Sequence, residues 1–454
     1  MSNTNYKTKN QLTDEVVDLS TLFQSGNSGI TTGYKTSTGA DLGSIFAPLN
    51  GGTPILFDTN YKTSISPYSN VDLTNLFNPY QAYNITNASD VNVTFAQSNN
   101  KCGIVIEYTG NPSPWLTSGL PSVNPGRCNV TFNKDVNLSY IIIGGGAGGG
   151  QGAFGSGGNY GISGAVGGGG GGVIYSSNYS LLVPANTSLT VQVGYHGSGN
   201  TNTDPTGGRC TGGFGGLSYI TISTLYDISF NAFGGSPGGG LGLTQRSGNG
   251  GNVSYSTTAT GDYSTIGGGG CGGGGACSDN INARFGGLGG SFTYKGTTSA
   301  ARKGEDGGAG RYAPGNYFAG NGGSIDTNIR NYDNITVPFK YNTITVNNNA
   351  TFVYCSNGGA GGTLKVSDPS PNGNFGGGAG GTNGKGGIAT AGSPSASGVT
   401  AFKGYKSTDN TFYYGNGGGG AAQPANSQQT LPPTPVLTNG GNGSPGVVML
   451  WWNY

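Results

Sequence analysis

Clusters of glycine set directly at the ends of β-like apolar runs constrain this fold more than any other feature. Tyr140-Ile141-Ile142-Ile143 runs straight into Gly144-Gly145-Gly146. Six glycines from Gly167 to Gly172 precede Val173-Ile174-Tyr175, and Gly446 leads into Val447-Val448-Met449-Leu450-Trp451-Trp452. A glycine fixed in regular structure costs roughly 0.5–1 kcal/mol relative to alanine and brings no side chain to a core. The chain has 94 glycines in 454 residues, so that cost is on the order of tens of kcal/mol. Ordered tracts therefore require backbone to pack on backbone. Polyproline-II-type helices with roughly three residues per turn allow this, as at the crowded axis of collagen. Their neighbours then satisfy one another's N–H and C=O groups. The competing arrangement is long mobile loops. Tracts joined directly to strands are expected to be ordered, while the Asn-, Pro- and Ser-rich stretch 421–446 stays open between the two.

Composition removes several classes. Collagen needs glycine at every third position with abundant proline; here glycine is clumped and there are only 21 prolines. A flexible linker does not fit either, because 33% of residues are hydrophobic and 26 Tyr and 18 Phe are available for a core. Twenty Lys and Arg against nineteen Asp and Glu leave a net charge of +1, which gives no concentrated basic face for nucleic acid. No apolar run approaches the ~18 residues of a membrane span. The start, Met1-Ser2-Asn3-Thr4-Asn5-Tyr6, has no apolar stretch of a secretion signal.

The body reads as all-β. Val91, Val93 and Phe95 alternate with Asn92 and Thr94, Gly103–Tyr108 reads as a second strand, and Val136, Leu138, Tyr140 and Ile142 alternate up to the first glycines. Leu189, Val191, Val193 and Tyr195 alternate with Thr190, Gln192, Gly194 and His196. Further strands are expected at Ile220 and Ile222, at Tyr226, Ile228 and Phe230, at Ile344 and Val346, and at Thr351–Tyr354. The closing apolar run Val447–Trp452 has no alternation, so it reads as a strand buried on both faces.

Residues 1–80 carry a threefold repeat: Tyr-Lys-Thr, a variable spacer, then Asp-Leu-x-x-(Leu/Ile)-Phe. Its second half recurs as Asp18, Leu19, Leu22 and Phe23; as Asp41, Leu42, Ile45 and Phe46; and as Asp72, Leu73, Leu76 and Phe77. Asp is a good helix N-cap, and the Leu after it lies near the apolar pair one turn later. Each unit is thus expected to be a short helical turn presenting an apolar wedge. Turns this short need a surface to dock on, since helix nucleation is costly. The repeats are read either as a small subdomain packed on the rest of the chain or as an anchoring or subunit-linking arm.

Little in the sequence points to catalysis. The six cysteines, Cys102, Cys128, Cys210, Cys271, Cys277 and Cys355, lack the paired short spacing of a zinc site. They are read as buried thiols or as two or three late-formed disulfides. The single histidine, His196, stands at a strand end and is read as a surface or loop residue. Gly384-Lys385-Gly386 lacks the leading glycine and trailing hydroxyl of a phosphate loop, and Glu305-Asp306 reads as a solvated turn. No recurring Asp marks calcium-binding repeats. The sequence thus implies no enzyme, metal or cofactor. About eleven Asn-x-Ser/Thr sequons, among them Asn84, Asn129, Asn178 and Asn252, compare with roughly nine by chance, so their number carries no weight. The many tyrosines fit either a recognition surface or the cover of β faces.

Taken in order, Tyr140–Ile143 with its glycines, Gly172-Val173-Ile174, Val183-Pro184-Ala185-Asn186-Thr187, Leu189–Gly194 and Ser444-Pro445-Gly446-Val447-Val448 resemble a glycine-rich β-domain family. That family occurs in structural and fibre proteins of phages and large DNA viruses and in some bacterial surface proteins. The resemblance spans about residues 136–454 with insertions and leaves 81–135 outside it. His196 stands where the family usually has a small residue. The polyglycine segments also resemble those of phage tail-tip adhesins, which pack glycine helices side by side. The N-terminal units resemble repeats that open structural proteins in large DNA viruses of algae and protists.

Residues and resemblance together imply an all-β chain: an N-terminal repeat arm (1–80), a β segment (81–135) and a glycine-rich β-sandwich or jelly-roll-like domain with polyproline-II-like segments (136–454). The expected role is a self-assembling structural protein of a viral or extracellular fibre, spike or capsid appendage, on the virion surface or outside the cell. Its expected partners are further copies of itself, capsid proteins or a host surface receptor, without nucleic acid. The alternative is an adhesin that recognises a host glycan or protein through distal loops.

Overall fold

The computed structural model describes four N-terminal strands and much of the body: residues 83–98, 101–114, 123–154, 165–176, 181–200, 211–222, 227–239, 248–256, 265–268, 287–294, 297–299, 306, 311–313, 316–318, 336–337, 351–359, 364–365, 375–376, 400–406, 408, 411–421, 423–424 and 436–453. The described residues contain no helix, and so none long and apolar enough to cross a membrane. The chain divides into two compact units, Met1–Asn78 and Pro79–Tyr454.

In the first unit, Lys7–Lys9 pairs antiparallel with Val16–Asp18, and Tyr61–Lys62 with Asn70–Val71. In the first and third repeats the variable spacer therefore joins two paired strands, one of them containing Tyr-Lys or Lys-Thr. Asp18, expected to cap a helical turn, lies in a strand opposite Lys7. The β-branched Val16 and Val17 ahead of it favour extended backbone. The other expected wedge residues, Leu19, Leu22, Phe23, Asp41, Leu42, Ile45, Phe46, Asp72, Leu73, Leu76 and Phe77, lie outside the described residues.

The second unit is a sandwich-like stack. The strands of its three largest sheets are β1 (Tyr83–Ser89), β2 (Val91–Ser98), β3 (Lys101–Tyr108), β4 (Gly126–Phe132), β5 (Val136–Ile143), β6 (Val173–Ser176), β7 (Leu181–Val183), β8 (Ser188–Val193), β9 (Ser218–Ile222), β10 (Ile228–Ala232), β11 (Val253–Ser256), β12 (Thr265–Gly268), β13 (Phe292–Tyr294), β14 (Thr297–Ser299), β15 (Thr336–Val337), β16 (Thr351–Cys355), β17 (Gly404–Lys406), β18 (Thr411–Tyr414) and β19 (Val447–Asn453). One sheet runs β14-β13-β11-β10-β9-β8-β4-β1, antiparallel except where β13 lies parallel to β11. The second runs β12-β6-β5-β19-β3-β2, with β7 also on β5, and is antiparallel throughout. A smaller sheet, β15-β16-β18-β17, covers the outer face of the second. The stretch 83–132 supplies strands to both large sheets, beside strands from the glycine-rich region.

Period-two alternation decides which side chains meet. Ile104, Leu138, Ile142, Leu450 and Trp452 of the second sheet face Val130, Phe132, Val191, Ile220 and Phe230 of the first in one core. The alternate residues of the second sheet, Val105, Ile141, Ile143, Val447, Met449 and Trp451, meet Val353, Cys355, Phe412 and Tyr414 in a second core. β19, paired with β5 and β3, sends Val448, Leu450 and Trp452 into the first core and Val447, Met449 and Trp451 into the second, the two buried faces its unbroken apolar run predicts. β8 ends at Val193, two residues short of the expected run through Tyr195, because Gly194 already belongs to a glycine tract. The expected strand at Ile344 and Val346 and the residue Tyr226 lie outside the described residues.

Candidate functional site: the glycine bundle

Seven strands of the second unit meet the tracts of one bundle, and β11, β13 and β16 meet the further tracts 248–252, 287–291 and 356–359. β5, β8, β10 and β18 run out into 144–150, 194–200, 233–239 and 415–421. The tracts 165–172, 211–217 and 440–446 run back into β6, β9 and β19.

The tract 144–150 is buried along its whole length, and its amides rotate among three neighbours. Gly144, Ala147 and Gly150 donate to the carbonyls of Gly172, Gly169 and Val166. Gly145 and Gly148 donate to Gly216 and Gly213, and Gly146 and Gly149 to Ser444 and Gly441. These distances are 2.8–3.0 Å. Its carbonyls rotate too: Gly145 and Gly148 accept from Gly235 and Gly238, Gly146 and Gly149 from Gly197 and Asn200, and Ala147 and Gly150 from Gly418 and Ala421. A partner that returns every third residue is the repeat of a polyproline-II helix. The three tracts that accept from the centre run antiparallel to it, and the three that donate to it run parallel.

The six outer tracts also bond to one another in a closed ring. In order around the centre they are 165–172, 233–239, 211–217, 194–200, 440–446 and 415–421. Representative links are Gly169 to Ser236, Gly215 to Gly235, Gly213 to Ser198, Gly443 to Gly197, Ser444 to Asn416 and Gly168 to Gly418. One helix inside six is hexagonal packing of bare backbone, about 20 Å long for seven residues at ~3.1 Å each. Glycine is required because a methyl group on Gly145, Gly148 or Gly215 would fall on the carbonyl oxygen of Tyr195, Ser198 or Gly145. Of the stretch 421–446, open from sequence, Ala421 and the tract 440–446 supply ordered backbone to the ring.

Asparagine and serine side chains complete the network where no carbonyl is in reach. Asn416 Oδ1 accepts from the Asn357 amide at 3.1 Å and from its Nδ2 at 3.2 Å, and Asn357 Nδ2 also donates to the Cys355 carbonyl at 2.9 Å. Asn442 Oδ1 takes the Gly199 N–H at 2.6 Å, Ser444 Oγ that of Asn416 at 2.7 Å, and Ser218 Oγ that of Gly194 at 2.9 Å. Asn249 and Asn252 hold Leu288 and Ser291 in the same way. A carboxamide presents the same acceptor as a peptide group. Sequence reading missed these residues, although a signal for three of them was present: Asn249, Asn357 and Asn416 each open an Asn-Gly-Gly, as do Asn321 and Asn439.

The four outgoing tracts end away from the sandwich, at Gly150, Asn200, Gly239 and Ala421. Described parts of this end include Gly152–Phe154 paired with Val436–Thr438, and Leu364–Lys365 with Gln423–Pro424.

Cys102, Cys128 and Cys355 are buried free thiols, one of the two readings the sequence leaves open. Each fills an inward position of a strand as a small apolar group. Burial pushes the Cys102 thiol up to about 12 and the Cys128 thiol up to about 11. Cys210, Cys271 and Cys277 lie outside the described residues.

His196 is half-buried in the tract 194–200, with its carbonyl accepting the Ser113 amide at 2.7 Å and its Nδ1 without a partner. Burial, with the Lys403 charge second, lowers its pKa to about 4. Between pH 6.5 and 4 the unfolded chain holds a proton that the folded chain refuses, so stability falls as pH falls through that window. The loss due to this group is roughly 2–3 kcal/mol. Denaturant titrations at pH 7 and pH 4 should show a smaller acid loss for His196→Asn than for the parent. An equal loss would remove the histidine from the account.

The fold and its bundle define an all-β, sandwich-like protein with a hexagonal glycine core at one end. No protein-family model matches the chain, and no curated protein is significantly similar to it.

Proposed function

We propose that the chain is a structural protein of a viral or extracellular appendage (a fibre, spike or capsid-associated element) that works as a homo-oligomer. The observation that supports this reading is the helix enclosed by six others. Its stability rests on backbone hydrogen bonds and close packing, and it makes a stiff spacer from a sandwich with two cores. The resemblance of the N-terminal repeats and of the glycine-rich body to virus structural proteins points the same way. In this reading the unit Met1–Asn78, which carries the repeats, anchors the chain or links it to further copies or to capsid proteins.

Electron microscopy of the full chain should then show fibres or regular oligomers. Replacing Leu42, Phe46, Leu73 and Phe77 together by Ser should disperse them while the far-UV spectrum of the body stays unchanged. Normal assembly of that variant removes the anchor role. Dispersed monomers of the parent chain overturn the structural reading itself.

A second reading, an adhesin, is favoured by the four outgoing tracts, which end away from the sandwich at Gly150, Asn200, Gly239 and Ala421. Loops on a rigid scaffold are common sites of recognition. Replacing 201–210 and 240–247 by Gly-Ser sequences separates the two readings: an adhesin loses attachment to its host surface and keeps assembly.

A further inference from the structure

The sandwich has two outer strands in succession along the chain. β1 is the last strand of one large sheet, β2 the last strand of the other, and Asp90 alone separates them. Outer strands invite pairing with other chains, and proteins commonly blunt them with lysine, proline or bulges. From Tyr83 to Ser98 there is neither lysine nor proline, and Asp90 is the one charge. β1 has an irregular register between Thr86 and Ser89, with Asn87 at a φ of 53°.

These strands carry three sequons within residues 84–94: Asn84-Ile85-Thr86, Asn87-Ala88-Ser89 and Asn92-Val93-Thr94. All three asparagines are exposed, as are Thr86 and Ser89. Asn92 Nδ2 donates to Thr94 Oγ1 at 3.2 Å, so the acceptor amide and the hydroxyl of one sequon already touch. Elsewhere the same motif has a different use. The amide oxygens of Asn252 and Asn442 hold the backbone of Ser291 and Gly199 in the bundle. The total number of sequons says nothing, but their environments differ: among the described residues Asn137 and Asn186 are exposed singly elsewhere, and three exposed sequon asparagines gather on the β1–β2 edge.

We propose that the β1–β2 edge is an N-glycan acceptor surface, with Asn84, Asn87 and Asn92 as attachment points for an oligosaccharide. In the transfer, Asn Nδ2 attacks the anomeric carbon of a lipid-pyrophosphate-linked oligosaccharide. The N–C bond forms as the C–O bond to pyrophosphate breaks, the amide loses one proton, and the lipid pyrophosphate leaves. A bulky hydrated glycan there keeps other strands from the edges, the task lysine and proline perform in other sheets. This inference is independent of the appendage reading.

The test expresses the full chain behind a cleavable secretion leader in eukaryotic cells. A glycan amidase that leaves Asp at every occupied site is then applied, and the peptides are mapped by mass. Asp is expected at two or more of positions 84, 87 and 92, with Asn252 and Asn442 unchanged. The combined Thr86→Val, Ser89→Ala and Thr94→Val variant should lose this sugar and aggregate at concentrations where the parent stays dispersed. If the chain is not exported, the same mapping on the membrane-associated precursor reads acceptor use directly. Unmodified Asn at all three positions overturns the proposal, and so does sugar on Asn252 or Asn442 with none on this edge.

Discussion

A Gly148→Ala chain is expected to yield no cooperatively folding protein, although the change adds a single methyl group. Gly148 lies inside the tract that six others enclose, and its new Cβ would fall on the carbonyl of Ser198. That carbonyl accepts the Gly213 N–H at 2.7 Å, while the Gly148 carbonyl accepts from Gly238. Pushing one tract aside therefore breaks bonds to two more. Overpacking costs about 1–3 kcal/mol where side chains can give way, but here the obstacle is backbone. Each buried amide or carbonyl left unsatisfied adds about 1–3 kcal/mol. The sum exceeds about 5 kcal/mol, a large share of the ~5–15 kcal/mol by which domains are stable. Gly404→Ala is the comparison, because Gly404 has a φ of +89° but nothing within 4 Å of a new Cβ. It should cost only about 1–2 kcal/mol, the price of a left-handed backbone for an L-residue. Thermal unfolding followed by circular dichroism distinguishes them: a Gly148→Ala protein that melts with Gly404→Ala would show that the tract is not enclosed.

That contrast also marks how far the sequence could be read. Glycine runs abutting apolar strands imply backbone packed on backbone, and alternation identifies β2, β10 and the first part of β5. The unbroken run of β19 implies two covered faces. Composition carries no signal, however, for which tract sits at the centre. Ala147 shows why: it lies in the central tract itself, so the absence of side chains does not by itself mark the enclosed helix. Tyr195 and His196 continue the alternation of β8 by residue type, yet Gly194 has already turned the backbone into the bundle. Asp18 fits a helix cap by identity, but pairing with Lys7 across a spacer depends on contacts that no local pattern states. Asn357, Asn416 and Asn442 read as loop residues until their amides are seen replacing peptide groups. Likewise, sequons cannot be ranked until exposed and engaged asparagines are told apart.

Trp452→Ala should be the most damaging single change in the side-chain core. Trp452 is 1% exposed and projects from the middle sheet toward the facing one. There its ring meets Phe132 edge-on at 5.2 Å and Tyr83 at 5.7 Å. Truncating a buried aromatic costs about 3–5 kcal/mol, and each aromatic pair is worth about 0.5–1.5 kcal/mol beyond its buried area. Both partners lie in the opposing sheet, so the loss falls on the contact between sheets rather than on either ladder. The indole Nε1 is buried without a hydrogen-bond partner, which separates size from polarity. Trp452→Phe keeps an aromatic ring and removes that unsatisfied donor, so it should cost clearly less than the alanine change, because only part of the indole's volume is left empty. Guanidinium titrations at neutral pH provide the comparison, with an unchanged slope showing that the midpoint shift reports stability. If the two variants lose stability equally, the indole N–H has a partner in the folded protein and the assignment of the loss to inter-sheet packing fails. If only Trp452→Ala is damaged, aromatic contacts hold the two large sheets together at the end of the sandwich away from the glycine bundle.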